Sequence, residues 1–331
     1  MKTKRTLLLS RREVASLLSL DECLIAVEQA FKSHAEGRAL PPGVLGVPAR
    51  DGGFHLKAAG LELARPYFAA KVNGNFFQNE QRFGLPNIQG VIVLCDAENG
   101  DLLAVMDSIE ITIIRTGAAT GVAAKYLARP DATVATIVGC GNQGRISLRA
   151  LAKVRRLQKA YAFDIDHERA ARYAEELSRE LQIAVTAAHD LPEALGSTDI
   201  CVTCTPSKRF FLSREDVAPG TFIAAIGADN EEKQELDPRL LATSKVVVDS
   251  LDQCASIGDL KLALKQGLMT KADVHAELGE VIAGERPGRE TGEEVIVFDS
   301  TGTALQDVAA TAIVYEKAEQ AGSHLTINFA G

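Results

Sequence analysis

Residues 133–144 read TVATIVGCGNQG and residues 159–164 read KAYAFD, and the relation between these two stretches decides the fold. A β-rich run stops at Gly139, glycines follow at 141 and 144, and a helical segment fills the interval before the next β-rich run at Lys159. In that setting G-x-G-x-x-G has a mechanical reading. Gly139 makes the turn, Gly141 lets a pyrophosphate approach the backbone, and Gly144 permits tight packing of helix on strand. Asn142 and Gln143 open the helix, whose free N–H groups and positive dipole end suit phosphate. Asp164 closes the second strand twenty positions after Gly144. A carboxylate there accepts hydrogen bonds from a ribose diol and repels a 2′-phosphate, which reads as NAD(H) in preference to NADP(H). His167 and Arg169 stand near enough to soften that discrimination, and Asp164 also has a structural alternative as N-cap of the helix HERAARYAEEL.

Downstream, IAVTA, DICVTC, TFIAAIG, KVVVDS and VIVFDS alternate with other segments, as a parallel doubly wound sheet requires. Upstream the pattern differs. Helical periodicity covers 11–18 and 21–36, Pro41-Pro42 interrupts, and short apolar runs at 54–59 and 67–72 read as strands. Runs at 90–95 and 102–106 flank DAENG, whose Asn-Gly ending favours a tight hairpin and so an antiparallel region. Residues 108–128 read as one long helix rich in Ala and Gly, and 303–322 as an apolar-striped helix that packs back on the N-terminal part. The expectation is an α/β protein with a Rossmann doubly wound NAD-binding domain at 129–302. A discontinuous α/β substrate-binding and dimerisation domain takes 1–128 with 303–331, and Arg129-Pro130-Asp131 marks the boundary.

The 331 residues are 46% hydrophobic and 24% charged, which excludes disordered and fibrous classes. Thirty-six basic against forty-four acidic residues give a net charge of −8, a poor match to nucleic acid. No run reaches the roughly 18 apolar residues of a membrane span, and Arg11-Arg12 interrupts the apolar start, so no signal segment is expected. Six scattered cysteines fit buried thiols in a reducing compartment, hence the cytoplasm. Cys201 and Cys204 read as structural thiols, and His275, Glu277 and Glu280, expected on a helix, lack metal-site spacing, so no metal is expected.

The stretches 102–132 (LLAVMDSIEITIIRTGAATGVAAKYLARPDA), 137–144 (IVGCGNQG), 225–237 (AIGADNEEKQELD), 275–284 (HAELGEVIAG) and 297–311 (VFDSTGTALQDVAAT) together resemble the ornithine cyclodeaminase and mu-crystallin family. That family holds ornithine and lysine cyclodeaminases, an archaeal type of alanine dehydrogenase, ketimine reductases, and the NADPH- and hormone-binding mu-crystallin. The resemblance implies a homodimer built on the N-terminal domain, with the active site in the cleft toward the Rossmann domain. Lys71 matches the family lysine beside the substrate, where an ammonium binds a carboxylate or, with its pKa lowered by burial, exchanges a proton with nitrogen. Arg115 matches an arginine touching substrate carboxylate and cofactor, with Thr116 and Gly117 leaving room for phosphate. Lys57 is a second carboxylate candidate. Asp229 matches an aspartate near the α-amino group; a loop aspartate capping the next turn is the alternative. Thr205, Ala225, Ile226, Gly227, Lys233 and Ser300 match positions around the nicotinamide half of the cofactor.

There are departures from the family pattern. Ala58-Ala59-Gly60 stands where Met-Pro is common, Asn87 where a threonine is common, and Pro41-Pro42-Gly43-Val44 lacks the arginine of the cyclodeaminases. The reading is therefore an NAD(H)-dependent reductase or dehydrogenase moving hydride at the Cα of a small α-imino or α-amino acid. A cyclodeaminase that recycles bound NAD and releases ammonia is the alternative, and a crystallin-like dinucleotide- or hormone-binding protein is the alternative of another class.

Overall fold

A computed structural model describes residues 5–76 and 78–329 of the chain. The first four residues of the apolar start, and the last two of the 303–331 segment, lie outside the described residues. The chain begins with β1 (Thr6–Leu9), α1 (Arg11–Leu17) and α2 (Leu20–Ala35), continues through β2 (Ala39–Ala49), β3 (Gly52–Glu62), β4 (Pro66–Asn75), α3 (Asn79–Phe83), β5 (Ile88–Asp96) and β6 (Leu102–Asp107), and enters α4 (Ile109–Leu127). Next come β7 (Val134–Val138), α5 (Asn142–Val154), β8 (Lys159–Phe163), α6 (His167–Leu181), β9 (Ala184–Ala187), α7 (Leu191–Leu195), β10 (Ile200–Thr203) and β11 (Phe222–Ala225). They are followed by α8 (Pro238–Ala242), β12 (Lys245–Val248), α9 (Leu251–Ile257), α10 (Leu260–Lys265), β13 (Ala276–Glu277), α11 (Leu278–Ala283), β14 (Ile296–Asp299), α12 (Ala304–Ala321) and β15 (Thr326–Ile327).

Two compact units result, residues 1–115 with 303–331 and residues 116–302. The division falls inside α4 rather than at Arg129-Pro130-Asp131. Pro130 follows the end of the helix, but residues from Thr116 onward already pack with the second unit. A Cβ on Gly117 would lie 2.5 Å from Ile146 Cγ1, so this glycine admits α5.

The first unit has a seven-stranded sheet in the order β15-β1-β6-β5-β4-β3-β2, antiparallel from β2 to β6 and parallel between β1 and β6. Ser10 and Ser19 start α1 and α2 in capping boxes with Glu13 and Glu22, satisfying N–H groups the helices cannot use themselves. Pro41 and Pro42 fall inside β2, which is an edge strand, where a missing N–H costs no ladder bond on the outer side. The register slips between Leu40 and Gly43 at that point. Alternation along β4 buries Tyr67, Ala69, Lys71 and Asn73 on the face that α12 covers. The opposite face carries an apolar row, Leu45, Leu56, Val72 and Val91, in direct cross-strand register. Of these Leu45, Val72 and Val91 are exposed.

The second unit is an eight-stranded all-parallel sheet in the order β13-β12-β14-β11-β10-β7-β8-β9. Its central strands are apolar runs buried on both faces, including Ile137, Ile223, Val247 and Val297, which is why they read as unbroken β-rich stretches rather than alternating ones. The carboxyl ends of β7, β10, β11 and β14 therefore align along one edge, which carries the loops after residues 138, 203, 225 and 299. Among the described residues no helix is long and apolar enough to cross a membrane.

Candidate active site

In the first unit three cations and one carboxylate are buried together. Antiparallel pairing sets Lys57 of β3 directly opposite Lys71 of β4, both turned to the covered face. Two lysines in register repel each other. What compensates is Asp307, in the first turn of α12: its Oδ2 lies 2.7 Å from Lys71 Nζ, and its Oδ1 accepts from Arg115 Nε at 3.0 Å. Arg115, from α4, also donates from its terminal nitrogen to Gln306 Oε1 at 2.7 Å. Lys71 reaches Thr112 Oγ1 at 3.4 Å, and that hydroxyl donates to the Ser108 carbonyl. Lys71 is 4% exposed, Arg115 5% and Asp307 1%.

Burial dominates the electrostatics here. It lowers the Lys71 ammonium from its ordinary range to about 7, with Arg115 and Lys57 pushing the same way and Asp307 opposing. Burial works against ionisation of Asp307 too, but Lys71 and Arg115 outweigh it and hold its carboxyl below the usual range. Lys57, Lys71 and Arg115 thus make the cluster cationic in excess, suited to a ligand's carboxylate, with one amine poised to give or take a proton near neutrality.

In the second unit the glycine fingerprint separates into three physical requirements. Gly139 has φ +106° and its missing side chain abuts the Cys204 carbonyl at 2.9 Å. At Gly144 a Cβ would lie 2.1 Å from the Gly139 carbonyl oxygen, so helix and strand close only on a glycine. Gly141, the N-cap of α5, has an ordinary φ of −84°, and nothing lies within 4 Å of where its Cβ would be. Neither backbone nor packing needs that glycine, and the space it leaves sits at a helix N-terminus with no acidic residue in its first turn. These residues fit a dinucleotide pyrophosphate. Asn142 and Gln143 open α5 behind it, and Gln143 Oε1 is buried without a partner among the described residues.

Asp164 does not cap α6: Asp166 does, accepting from the Arg169 N–H at 3.0 Å. Asp164 instead accepts from the Cys140 N–H at 2.9 Å, inside the glycine loop, and from the Asp166 N–H at 3.0 Å, while an Arg169 guanidinium nitrogen stands 3.6 Å away. Asp229 lies in the loop after β11, where Asn230 Oδ1 takes the N–H groups of Glu232 and Lys233. Lys233 donates to Asp229 Oδ1 at 2.7 Å, which brings these two site candidates together.

Thr205, Ala225, Ile226, Gly227 and Ser300 gather at the same sheet edge. Glu235, fully buried, ties that edge together by accepting from Thr203 Oγ1, from the Thr205 N–H and hydroxyl, and from the Gly227 N–H, all within 2.9 Å. Ile226 N–H bonds the Thr203 carbonyl, and Ser300 N–H bonds the Ala225 carbonyl. Ser300 Oγ donates to Asp249. Burial, and then the neighbouring Asp259, raise the pKa of Glu235. Thr116, next to Arg115 in sequence, is buried on α4 and its carbonyl takes the Thr120 hydroxyl.

Sequence reasoning missed Asp307, Gln306, Glu235 and Asp249. The signal for the first two was present: two polar residues where the stretch ALQDVAAT is otherwise apolar or small. Cys201 is fully buried, and Cys204 Sγ contacts the Val138 and Gly139 carbonyls; burial raises the pKa of both thiols. His275 stands ahead of the two-residue strand β13 rather than on a helix, with Nε2 against the Pro287 carbonyl, and Glu277 and Glu280 form a capping box at α11. Among the described residues no group of three or more His, Cys, Asp or Glu is placed to hold a metal.

Residues 4–322 match the model of the ornithine cyclodeaminase/mu-crystallin family. The chain is 40% identical over 313 residues to an alanine dehydrogenase of Archaeoglobus fulgidus, covering 95% of both, and 33% identical to an iminosuccinate reductase of Paracoccus denitrificans, covering 96% of this chain and 98% of that one. Among solved structures, an archaeal alanine dehydrogenase dimer with bound NAD superposes with a TM-score of 0.94 at 39% identity, covering 98% of this chain and 99% of that one. A Thermococcus litoralis Δ1-pyrroline-2-carboxylate reductase in complex with NADH and L-proline superposes with a TM-score of 0.92 at 34% identity, covering 97% of this chain and all of that one.

Proposed function

The chain belongs to the ornithine cyclodeaminase/mu-crystallin family, and from that premise we propose that it is an NAD(H)-dependent reductase or dehydrogenase interconverting a small α-imino acid and an α-amino acid. The observation that carries the reading is the buried cationic cluster of Lys57, Lys71 and Arg115 around Asp307, in a chain whose second unit has the glycine loop of a dinucleotide site. Relatives named for alanine, iminosuccinate and pyrroline-2-carboxylate share imino- or amino-acid chemistry at Cα.

When bound, the nicotinamide supplies hydride chemistry at the substrate Cα. The protein orients the acid and handles protons. Lys57 and Arg115 hold the carboxylate, the guanidinium fork being kept planar to Asp307 and Gln306. Lys71, near the midpoint of its titration at neutral pH, gives a proton to the substrate nitrogen in reduction and takes one in oxidation. Asp229, paired with Lys233 in the second unit, is the further acid–base candidate that the family match gives. Gly139, Gly141, Asn142, Gln143 and Gly144 cradle the pyrophosphate, Asp164 reads the adenosine ribose and favours NAD(H) over NADP(H), and Thr116, Thr205, Ala225, Ile226, Gly227, Lys233 and Ser300 surround the nicotinamide half; Arg115 is the cofactor contact that the family match adds.

We assign the unit of residues 1–115 with 303–331 to substrate binding and dimerisation and that of residues 116–302 to the cofactor. The exposed row of Leu45, Val72 and Val91 supports a homodimer built on that sheet face. The six cysteines, all free, support a reducing compartment and so the cytoplasm.

The register of β2 favours net redox over cyclodeamination. Val44, not a cation, stands opposite Lys57, and the stretch Pro41-Pro42-Gly43-Val44 has no arginine. Following absorbance at 340 nm with pyruvate plus ammonium and with Δ1-pyrroline-2-carboxylate tests the reading; one NADH is consumed per imine reduced. Proline or pipecolate formed from L-ornithine or L-lysine with catalytic NAD, and no NADH accumulation, would establish the cyclodeaminase instead.

A further inference from the structure

We propose that Asp307 is a positioning residue that keeps Lys71 protonated for proton delivery while its other oxygen fixes the Arg115 guanidinium. The inference rests on the functional reading above and deepens it. It begins with a cost that the sheet register imposes. A lysine buried in β4 opposite a second lysine has every reason to lose its proton: water is excluded, and Lys57 and Arg115 both repel its charge.

The groups facing Lys71 can be taken element by element. From β3 comes Lys57, from β5 the apolar Ile92, and from α4 Thr112 and Arg115. From α12 comes Asp307. Cys23 of α2 stands near Arg115 and Asp307, but burial raises its thiol to about 12, so it adds no charge at neutral pH. Thr112 spends its own proton on the Ser108 carbonyl and offers Lys71 an uncharged oxygen at 3.4 Å. Asp307 is therefore the anion of this set, and its two oxygens are divided between the two cations. Its place in the first turn of an 18-residue helix gives the charge further support from the helix dipole.

The reaction makes this division useful. In reduction, the C=N carbon takes a hydride, its nitrogen takes a proton from the Lys71 ammonium, and neutral Lys71 and oxidised nicotinamide remain. Only protonated Lys71 can perform that step, so kcat/KM for imino-acid reduction must fall above the Lys71 pKa. Without the Asp307 charge, desolvation and two repelling cations act unopposed, and the basic limb moves to lower pH. A group that merely filled space would lower activity evenly across pH.

The test is the pH profile of kcat/KM for reduction of Δ1-pyrroline-2-carboxylate, with NADH affinity measured in parallel by fluorescence. For Asp307→Asn the basic limb is expected to move acidward by at least about one pH unit, beyond any NADH affinity lost through a loosened Arg115, whereas Asp307→Glu restores it toward its original position. Lys57→Met removes one repelling cation and is expected to move the same limb basicward. Lys57→Met thereby identifies the limb with Lys71, and Asp307→Ser, smaller and likewise uncharged, carries the test where Asp307→Asn does not fold. Reduced activity with an unmoved limb in either variant overturns the role assigned to Asp307. Failure of the unsubstituted protein to reduce any imino acid overturns the functional reading, and the inference falls with it.

Discussion

Replacing Asp164 tests the cofactor assignment more sharply than motif logic alone allows, because this carboxylate has two tasks. Its Oδ2 takes the Cys140 N–H at 2.9 Å, tying the glycine loop to the end of β8, and the residue is only 7% exposed. A hydrogen bond to a charged partner contributes about 1.5–3 kcal/mol, or about 10- to 150-fold in an equilibrium. Losing that tie should weaken both nucleotides alike. The second task, accepting from the ribose diol and repelling a 2′-phosphate, bears on their difference. Arg169, 3.6 Å from Asp164 and half exposed, is freed toward a phosphate once the carboxylate is gone. Titration by cofactor fluorescence should find NADH tighter than NADPH in the unsubstituted protein. Asp164→Ser, too short to reach Cys140, should weaken NADH by about 10- to 100-fold and bring the two affinities together. Asp164→Asn retains an acceptor for Cys140 and should narrow the gap with a smaller loss. Equal affinities in the unsubstituted protein, or a ratio that Asp164→Ser leaves unchanged, would refute the assignment.

Other substitutions address the remaining features. Gly144→Ala places a methyl 2.1 Å from the Gly139 carbonyl oxygen, and forcing α5 off β7 should cost about 1–3 kcal/mol, read as a melting temperature lower by roughly 2–10 °C. Because Lys71 titrates at about 7 in the folded chain against 10.5 when unfolded, the unfolded state binds the extra proton between those values. Stability should therefore rise with pH across that window by up to about 1.4 kcal/mol per pH unit relative to Lys71→Met, and denaturant midpoints that run parallel for the two proteins would contradict the burial argument. Val72→Glu, in the middle of the exposed apolar row, should give monomers in sedimentation without loss of the monomer fold; unchanged assembly would move the dimer contact elsewhere.

The second unit was largely legible from the sequence because parallel strands buried on both faces leave apolar runs that end where the loops begin. The site of the first unit was not. Asp307 meets Arg115 across 192 residues of chain, and no local pattern reports which side chains a sheet and a distant helix will bring together. The family motifs singled out Lys71 and Arg115, but the register that sets Lys57 against Lys71, and so makes an acid necessary, exists only once β3 and β4 pair. Pro41 and Pro42 misled for a different reason. They look like a break, yet an edge strand has a side on which a missing N–H goes unnoticed. The helix expected around His275 failed because Glu277 caps a helix that begins only at Leu278.

The three glycines of the fingerprint would leave different marks on a population of variants sorted twice, once for abundance and once for retention on an immobilised dinucleotide. Side chains at 139 and 144 collide with the protein itself, so those variants vanish in the first sort and say nothing of the ligand. Position 141 faces empty space at ordinary dihedrals, so its variants should pass the first sort and drop out in the second. A residue whose tolerance depends on which question is asked marks the border between what the fold demands and what the cofactor demands, and in this loop that border lies between adjacent glycines of one motif.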